Sequence, residues 1–456
     1  MRRGGERYDV VILGGGAAGC VLAGRLSENP DRSVCLVEAG PDYGHHDDGR
    51  WPADILDARW LALDSHRWER DDEDDRSQLR AKILGGCSAH NACVLLAGAP
   101  SDYDWGRGWS YEELEPYLRR GRESLRMRAI PEAELSPWHG AFREAGGDAA
   151  IVHLVNAVGE VRWHAGFAYV DPARSRRNLT IMAGTLVERV VVEDDRAVGV
   201  VAAGRELRAN VVVVSAGAYG SPGILLRSGI GPGDELARHG IEAVIELPVG
   251  EGLTDHVGTG AGWEPTERLL AETAAHDAEY GLWMAQVTLA ARSRSCPPGL
   301  NDLFMFPALD PGPEISAAVF AMKPFSRGSV RLNGREAETP LAIEHGFLRD
   351  ERDAEVLVEG FERLRELVAG DAVRPYAGRE LRPGTEVGAE PHVRQTARGF
   401  FHPVATCAIG RVVDERCRVH GFENLYVVDA SAIPEIPRAN THLTTIALAE
   451  RAAGWL

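Results

Sequence analysis

Three glycines near the start of the chain, Gly14, Gly16 and Gly19, have the spacing GxGxxG. They stand between an apolar run at residues 8–13, which predicts a buried strand, and residues 17–28, which predict a helix. In such a turn the first glycine allows a tight bend, the second lets the backbone approach a pyrophosphate, and the third lets the helix pack on the strand. The spacing therefore predicts a dinucleotide-binding turn.

Glu38 stands at the end of a second predicted strand, residues 33–38. A carboxylate there can accept hydrogen bonds from ribose hydroxyls and would repel a 2′-phosphate. Ala17 and Ala18 complete the site at the helix N-terminus, whose partial positive charge favours phosphate. The glycine spacing by itself leaves FAD and NAD both open.

Further segments resemble signatures of the glucose–methanol–choline (GMC) oxidoreductase family. They are 81–91 (AKILGGCSAHN), 217–231 (GAYGSPGILLRSGIG), 248–256 (PVGEGLTDH), the pair His402-Pro403 followed by Thr406, 429–434, and 440–450 (NTHLTTIALAE). They occur in family order, so the resemblance covers nearly the whole chain. It implies FAD as the resident cofactor.

The resemblance also implies roles for two histidines near the C-terminus. It places His402 beside flavin N5 as the general base, and the near-neutral pKa of imidazole suits that task. His442 would orient the alcohol oxygen or share the base role. Asn440 or Thr441 is expected to cap the helix that carries His442, with its N-terminus facing the flavin pyrimidine edge. Without the resemblance, both histidines are typical of structural positions.

His90 belongs to the string GGCSAHN, which resembles the flavin-attachment string of choline-oxidase-like members. The resemblance implies a covalent bond from His90 to the 8α carbon of FAD. The alternative is a noncovalent flavin with His90 packed against its dimethylbenzene ring.

Other cofactor contacts are implied by the same segments. Asn91 and Ser88 would hydrogen-bond to the flavin, Asp429 would contact the ribityl or pyrophosphate region, and backbone groups near Val187 would meet adenine. The remaining implied positions are Gly86, Ala430 and Thr441. Ala405 replaces the usual glycine of the family element HPxGT, and Cys87 replaces a serine or glycine.

The function implied is oxidation of an alcohol to an aldehyde or ketone, with oxygen or another electron acceptor closing the cycle. A sugar, an amino alcohol or a natural-product alcohol is the expected substrate, and Phe400 and Phe401 are expected to form an apolar wall near the flavin. A hydroxynitrile lyase on the same scaffold and an NAD-dependent dehydrogenase are the alternatives.

The elements that must position these residues are those of an α/β protein. We expect a Rossmann-type FAD-binding domain and a discontinuous substrate domain built on a mixed or antiparallel sheet. The expected FAD-binding domain comprises residues 1–120, 177–260 and 399–456, and the substrate domain comprises 121–176 and 261–398. Helices are also predicted at 111–128, 350–369 and 442–453, and a strand at 425–428.

The net charge of −18 disfavours nucleic acid and anionic lipid as partners. No stretch approaches the length of an apolar membrane helix, so a cytoplasmic protein is expected. The seven cysteines include no CxxC pair and predict thiols rather than disulfides or a zinc site. No metal is expected, and residues 45–48 and 70–76 are interpreted as solvated loops. The oligomeric state is left open.

Overall fold

A computed structural model of the protein describes residues 7–68, 78–309 and 312–456. The charged run at residues 70–76 lies outside the described residues. The helices are, in chain order, α1 (Ala17–Leu26), α2 (Ala53–Leu56), α3 (Tyr111–Ser124), α4 (Pro137–Gly146), α5 (Gly217–Arg227), α6 (Gly233–Arg238), α7 (Glu267–Tyr280), α8 (Glu351–Ala369), α9 (Ala389–Thr396) and α10 (Thr441–Ala452).

The strands of the described residues form five sheets. They are β1 (Arg7–Leu13), β2 (Val34–Val37), β3 (Arg128–Ala129), β4 (Ala150–Val152), β5 (Leu154–Val155), β6 (Ala157–Val158), β7 (Val161–Arg162), β8 (Leu179–Met182), β9 (Val187–Glu193), β10 (Arg196–Ala202), β11 (Arg205–Val214), β12 (Glu251–Leu253), β13 (Val257–Pro265), β14 (Val287–Ala291), β15 (Leu303–Ala308), β16 (Ile315–Ala321), β17 (Gly328–Arg331), β18 (Ala342–Glu344), β19 (Ala377–Arg382), β20 (Arg398–Gly399) and β21 (Leu425–Val427). The predicted helices and strands lie within a few residues of these bounds.

The first large sheet carries the glycine turn. Strands β8, β2, β1 and β11 lie side by side and run parallel, and β21 runs parallel beside the end of β11. Strands β10 and β9 extend the sheet antiparallel. Residues 10–13 and 34–37 are apolar and buried, because this part of the sheet is covered on both faces. The Rossmann-type fold is confirmed.

The second large sheet has the order β4-β14-β15-β16-β13-β19, with β20 beside β13, and every pair is antiparallel. Side chains alternate between its faces. One face, including Leu303 and Val319, packs against α8 through Leu357 and Phe361. Gly360 permits this close contact, since a Cβ atom there would lie 2.8 Å from Val319 Cγ2.

Helix α10 is fixed firmly in the first core, and this matters because its first turn carries His442. Gly121 of α3 lies against it, since a Cβ atom there would be 2.9 Å from Ile446 Cγ2. At the other end, buried Glu450 accepts hydrogen bonds of 2.9 and 2.8 Å from the Arg25 guanidinium of α1. The helix cannot slide without breaking both contacts.

The strands of the first sheet come from three separate parts of the chain, and most strands of the second sheet come from residues 257–399. The domain boundaries stated above stay a proposal. Within the described residues, no helix has the length and apolar character needed to cross a membrane.

Candidate active site

A cavity of about 590 Å³ is lined by the glycine turn, by strand ends of the first sheet and by one face of the second sheet. That volume is in the range of cofactor and ligand pockets. The predicted residues that line it are Gly14, Gly16, Ala17, Ala18, Glu38, Gly86, Ser88, His90, Asn91, Val187, His402, Asp429, Ala430, Thr441 and His442. Gly19 does not line it.

The glycine turn needs glycine for two different reasons. Gly14 has φ +108°, and a Cβ atom there would lie 2.5 Å from Ser215 O. A Cβ atom on Gly19 would lie 1.9 Å from Gly14 O, so Gly19 serves the packing of the helix on the turn. Gly16, Ala17 and the start of α1 remain open to the cavity, where the helix N-terminus can meet a phosphate.

Glu38 is buried at the end of β2. Its Oε2 accepts a hydrogen bond of 2.7 Å from Gly15 N–H, and its Oε1 accepts one of 2.7 Å from Gly40 N–H. Burial raises the pKa of Glu38 to about 7, against these two hydrogen bonds, which lower it. The carboxyl group is therefore held in place at the position expected for a ribose partner.

The segment 86–91 lies across the glycine turn. Gly86 has φ +54°, and a Cβ atom there would lie 2.7 Å from Gly16 Cα. The Ser88 hydroxyl donates to Gly85 O at 2.6 Å and accepts from Ala165 N–H at 3.1 Å, so it is already used within the protein. Its predicted bond to the flavin stays a prediction.

His90 is buried, and its Nε2 atom has no hydrogen-bond partner among the described residues. The residue lines the cavity. Burial, reinforced by Arg162, lowers the pKa of His90 to about 4. The imidazole is thus neutral near pH 7.

His402 is held on both sides of its ring. Its Nδ1 lies 2.9 Å from His256 Nδ1, and its Nε2 lies 3.3 Å from Asn440 Nδ2. Its backbone N–H donates to Asp255 Oδ1 at 2.9 Å. Burial, and then His256 and Arg80, hold the pKa of His402 well below its ordinary value. The ring is therefore neutral near pH 7 and suited to accept a proton.

His442 is the second residue of α10, and Asn440 is its N-cap residue. The Asn440 side chain makes no capping hydrogen bond and instead contacts His402. Asn91 Oδ1 accepts from Cys93 N–H at 3.0 Å, which turns Asn91 Nδ2 toward His442 Nδ1 at 3.4 Å. Burial lowers the pKa of His442 to about 4, and its Nε2 is a buried atom with no partner among the described residues.

Asp429 lines the cavity, yet both its oxygens are engaged by protein donors. Oδ2 accepts from Gly217 N–H at 2.8 Å and from the Ser221 hydroxyl, and Oδ1 accepts from Ser431 N–H and its hydroxyl. The carboxylate thus joins β21 to the start of α5. The predicted contact of Asp429 with the cofactor is not tested by this arrangement.

The face of the second sheet opposite α8 forms an aromatic floor, defined here as Phe306, Phe320 and Phe400. The Phe320 and Phe400 rings stack with centroids 3.9 Å apart, and Phe306 stacks on both at 5.4 and 5.2 Å. Phe400 also meets the His402 ring edge-on at 4.7 Å. Phe401 lines the same cavity. An apolar surface therefore adjoins the histidine.

Ala405 and Cys87, the two departures from the family pattern, lie in different environments. Ala405 has φ +73°, a conformation that favours glycine, which is the residue usual at this position of the family element. Cys87 is exposed and lines the cavity, whereas the other six cysteines are buried; all seven are free thiols.

Sequence reasoning missed His256 and Asp255 as parts of the site. Both lie in the segment 248–256 that resembles a family signature, so a signal was present, but nothing in that string says which later residue they meet. Asn440 was expected only as a helix cap. Its contact with His402 depends on the path of the chain before α10.

The residues present fit FAD. The buried His90 Nε2 has no partner among the described residues, and Gly16 and the start of α1 open on the cavity, where a phosphate can approach the backbone. Such a fold and cavity define the class of protein as a flavin-dependent oxidoreductase.

Comparison with known proteins gives the family. Two family profiles described as GMC oxidoreductase match residues 148–258 and 324–449, and a lycopene cyclase profile matches residues 9–72. Choline oxidase from Arthrobacter globiformis is 30% identical over 98% of this chain and 94% of that protein. The mitochondrial choline dehydrogenase of Homo sapiens is 32% identical over 98% of this chain and 89% of its own.

Among solved structures, pyridoxine 4-oxidase from Mesorbium loti superposes with a TM-score of 0.87 at 29% identity, covering 98% of this chain and 99% of that one. Formate oxidase superposes with a TM-score of 0.85 at 23% identity, over 99% and 98% of the two chains, and shows the same fold. The chain belongs to the GMC oxidoreductase family and is an FAD-dependent alcohol oxidoreductase. The predicted family, fold class, enzyme class and FAD cofactor are confirmed.

Proposed function

We propose that the enzyme oxidises an alcohol to an aldehyde or ketone with His402 as the general base. The observation that carries this is the hydrogen bond from the Asn440 amide to His402 Nε2, beside the cavity. A nitrogen that accepts a hydrogen bond bears a lone pair, and that lone pair can take the hydroxyl proton. The bound FAD supplies the acceptor for the hydride, at N5.

His442 supplies the complementary group. Because Asn91 Nδ2 donates to His442 Nδ1, the neutral ring carries its hydrogen on Nε2. That N–H is a donor with no protein partner among the described residues. It suits the substrate oxygen, whose negative charge grows as the proton leaves.

The test is anaerobic reduction of the flavin by substrate, followed as loss of its yellow colour in a stopped-flow instrument. His402→Asn should slow reduction by about 10²–10⁴-fold, and His442→Ala by about 10²–10³-fold. His420→Asn, at an exposed histidine, is the matched control and should leave the rate unchanged. Unimpaired reduction in His402→Asn would reject the base assignment. Cleavage of a cyanohydrin without bleaching would favour lyase activity.

The aromatic floor supports a neutral alcohol with a planar apolar group, which among the expected classes is a natural-product alcohol. Among the described residues, the acidic side chains that line the cavity are Glu38, Glu338 and Asp429. Glu38 and Asp429 hold the glycine turn and the start of α5, and Glu338 interacts with Arg227 near β9. A cationic substrate would therefore find few carboxylates beside the floor among the described residues.

A substrate panel tests this class. Benzyl-type alcohols should show a higher kcat/KM than choline or a hexose, and Phe320→Leu should raise KM for the benzyl-type alcohol. Phe325→Leu, at a side chain that is 45% exposed, is the matched control. A preference for choline or the sugar would overturn the proposed class. Peroxide formed when air is admitted would identify oxygen as the electron acceptor, and its absence would point to another acceptor.

We also propose that His90 Nε2 bonds to the 8α carbon of FAD. The neutral ring with an unpartnered Nε2 supports this, since attack needs a free lone pair. Attachment would break one 8α C–H bond and form the 8α C–Nε2 bond. Together with the imidazole N–H this would release two protons to solvent and leave two electrons on the flavin, which the enzyme's own electron acceptor would remove. After acid precipitation the colour should stay with the pellet, and in His90→Ala it should move to the supernatant. A colourless wild-type pellet would exclude the bond.

A further inference from the structure

His256 belongs to a hydrogen-bonded row that runs from Pro437 O through His256 and the proposed base His402 to Asn440. Its Nε2 lies 2.9 Å from Pro437 O, and its Nδ1 lies 2.9 Å from His402 Nδ1. The side chain is fully buried. The row is completed by Asn440 Nδ2 on the far side of the His402 ring.

The direction of every bond in this row follows from the carbonyl at its start. A carbonyl oxygen only accepts, so His256 Nε2 carries a hydrogen and donates it to Pro437 O. Burial lowers the pKa of His256 to about 3, and a neutral imidazole has one N–H. His256 Nδ1 is therefore an acceptor, and the hydrogen between the two rings belongs to His402 Nδ1.

We infer that His256 is a positioning residue which, through Pro437 O, selects the His402 tautomer whose Nε2 lone pair is free to take the substrate proton. The inference rests on the proposed role of His402 as base. The Asn440 orientation agrees with it, because its Nδ2 is placed to donate to the same lone pair. A substrate hydroxyl would replace this donor.

The charged groups around the pair do not supply this selection. Asp255 Oδ1 accepts from the His402 backbone N–H, and Asp255 Oδ2 has no hydrogen-bond partner among the described residues. The positive charge of Lys323 lowers the pKa of His256, and that of Arg80 lowers the pKa of His402. Both charges therefore favour neutral rings but leave the choice of tautomer to the hydrogen bonds.

A metal ion is the competing explanation, since one ligand atom from each of Asp255, His256 and His402 lies within 4.8 Å of the others. The 2.9 Å separation of the two Nδ1 atoms is a hydrogen-bond distance, and the second His256 nitrogen is already used by Pro437 O. Both observations favour the hydrogen-bonded row. Metal analysis of the purified holoenzyme separates the two, because stoichiometric metal lost in His256→Leu would overturn the inference.

Two substitutions at His256 separate tautomer selection from packing. In His256→Asn the amide oxygen can replace Nδ1 as acceptor and should retain the tautomer. In His256→Leu, His402 Nδ1–H would lose its acceptor, so the tautomer with the hydrogen on Nε2 should become favoured. The Asn440 amide should then rotate so that its oxygen accepts from Nε2–H. Because a buried unsatisfied donor is costly, kcat/KM should fall by about 10- to 100-fold in His256→Leu and by much less in His256→Asn.

The deciding measurement is ¹⁵N NMR of histidine-labelled holoenzyme, with the His402 signals identified by their loss in His402→Asn. The wild type and His256→Asn should show a protonated Nδ1 and an unprotonated Nε2, and His256→Leu the reverse. An unchanged His402 spectrum in His256→Leu would overturn the inference. So would a protonated Nε2 in the wild type, and that result does not depend on how well the leucine variant folds. Normal flavin reduction in His402→Asn would instead reject the proposed base and leave the NMR result standing.

Discussion

Gly86 offers a direct test of how closely the segment 86–91 lies on the glycine turn. Its φ of +54° costs an L-amino acid about 1–2 kcal/mol. In Gly86→Ala the new Cβ atom would also lie 2.7 Å from Gly16 Cα, a backbone atom that cannot rotate away. Forced overpacking of this kind costs about 1–3 kcal/mol. The total expected loss is therefore about 2–5 kcal/mol.

Gly204 provides the matched control. It has φ +70°, and a Cβ atom there would have no neighbour within 4 Å in the part of the chain that the structure describes. Gly204→Ala should therefore lose only the conformational part, about 1–2 kcal/mol, which lowers Tm by roughly 1–2 °C in a chain of this size. The difference between the two variants isolates the contact between Gly86 and Gly16.

The two variants should also differ in cofactor content, because Gly86 and Gly16 both line the cavity. Gly86→Ala should purify with less flavin per protein, measured as the ratio of visible flavin absorbance to protein absorbance, and Gly204→Ala should keep the wild-type ratio. Thermal unfolding by circular dichroism gives the stability difference. Equal Tm and equal flavin content in the two variants would refute the close contact.

Three further outcomes are expected. Because its pKa is lowered, His402 stays neutral and able to accept a proton down to lower pH than an ordinary histidine. The apparent pKa of the acid limb in the pH profile of kcat/KM should therefore lie below about 6.5, and an apparent pKa above about 7 would contradict this. Burial lowers the pKa of His139 to about 3 and that of His153 to about 4. The unfolded chain therefore binds protons first as pH falls below about 6.5, and the guanidinium midpoint should drop between pH 7 and pH 5, whereas an unchanged midpoint would argue against buried neutral rings. Glu38→Gln leaves Gly15 or Gly40 N–H facing an amide donor, so the free energy of unfolding should fall by about 1–3 kcal/mol and the flavin content should fall too. Glu188→Gln, where the hydrogen bond is exposed, is the control and should change neither quantity.

Local parts of the site could be predicted from the sequence because neighbouring residues produce them. The strand, the glycine turn and α1 are contiguous, so their spacing alone indicates a phosphate-binding bend. Glu38 follows from its place at the end of β2. The resemblance in the segments 81–91 and 440–450 indicated His90 and His442, which both line the cavity.

Contacts between distant segments were decided by the tertiary structure. His256 and His402 are 146 residues apart, and no periodicity or spacing joins them. Only the folded chain brings Pro437 O, Asn440 and these two rings into one row, and only that row fixes which nitrogen carries a hydrogen. The same holds for the aromatic floor, whose rings come from β15, β16 and the residue after β20. The sequence by itself determined the cofactor turn and the family; the fold decided hydrogen-bond direction and cavity shape, because both depend on distances across the core.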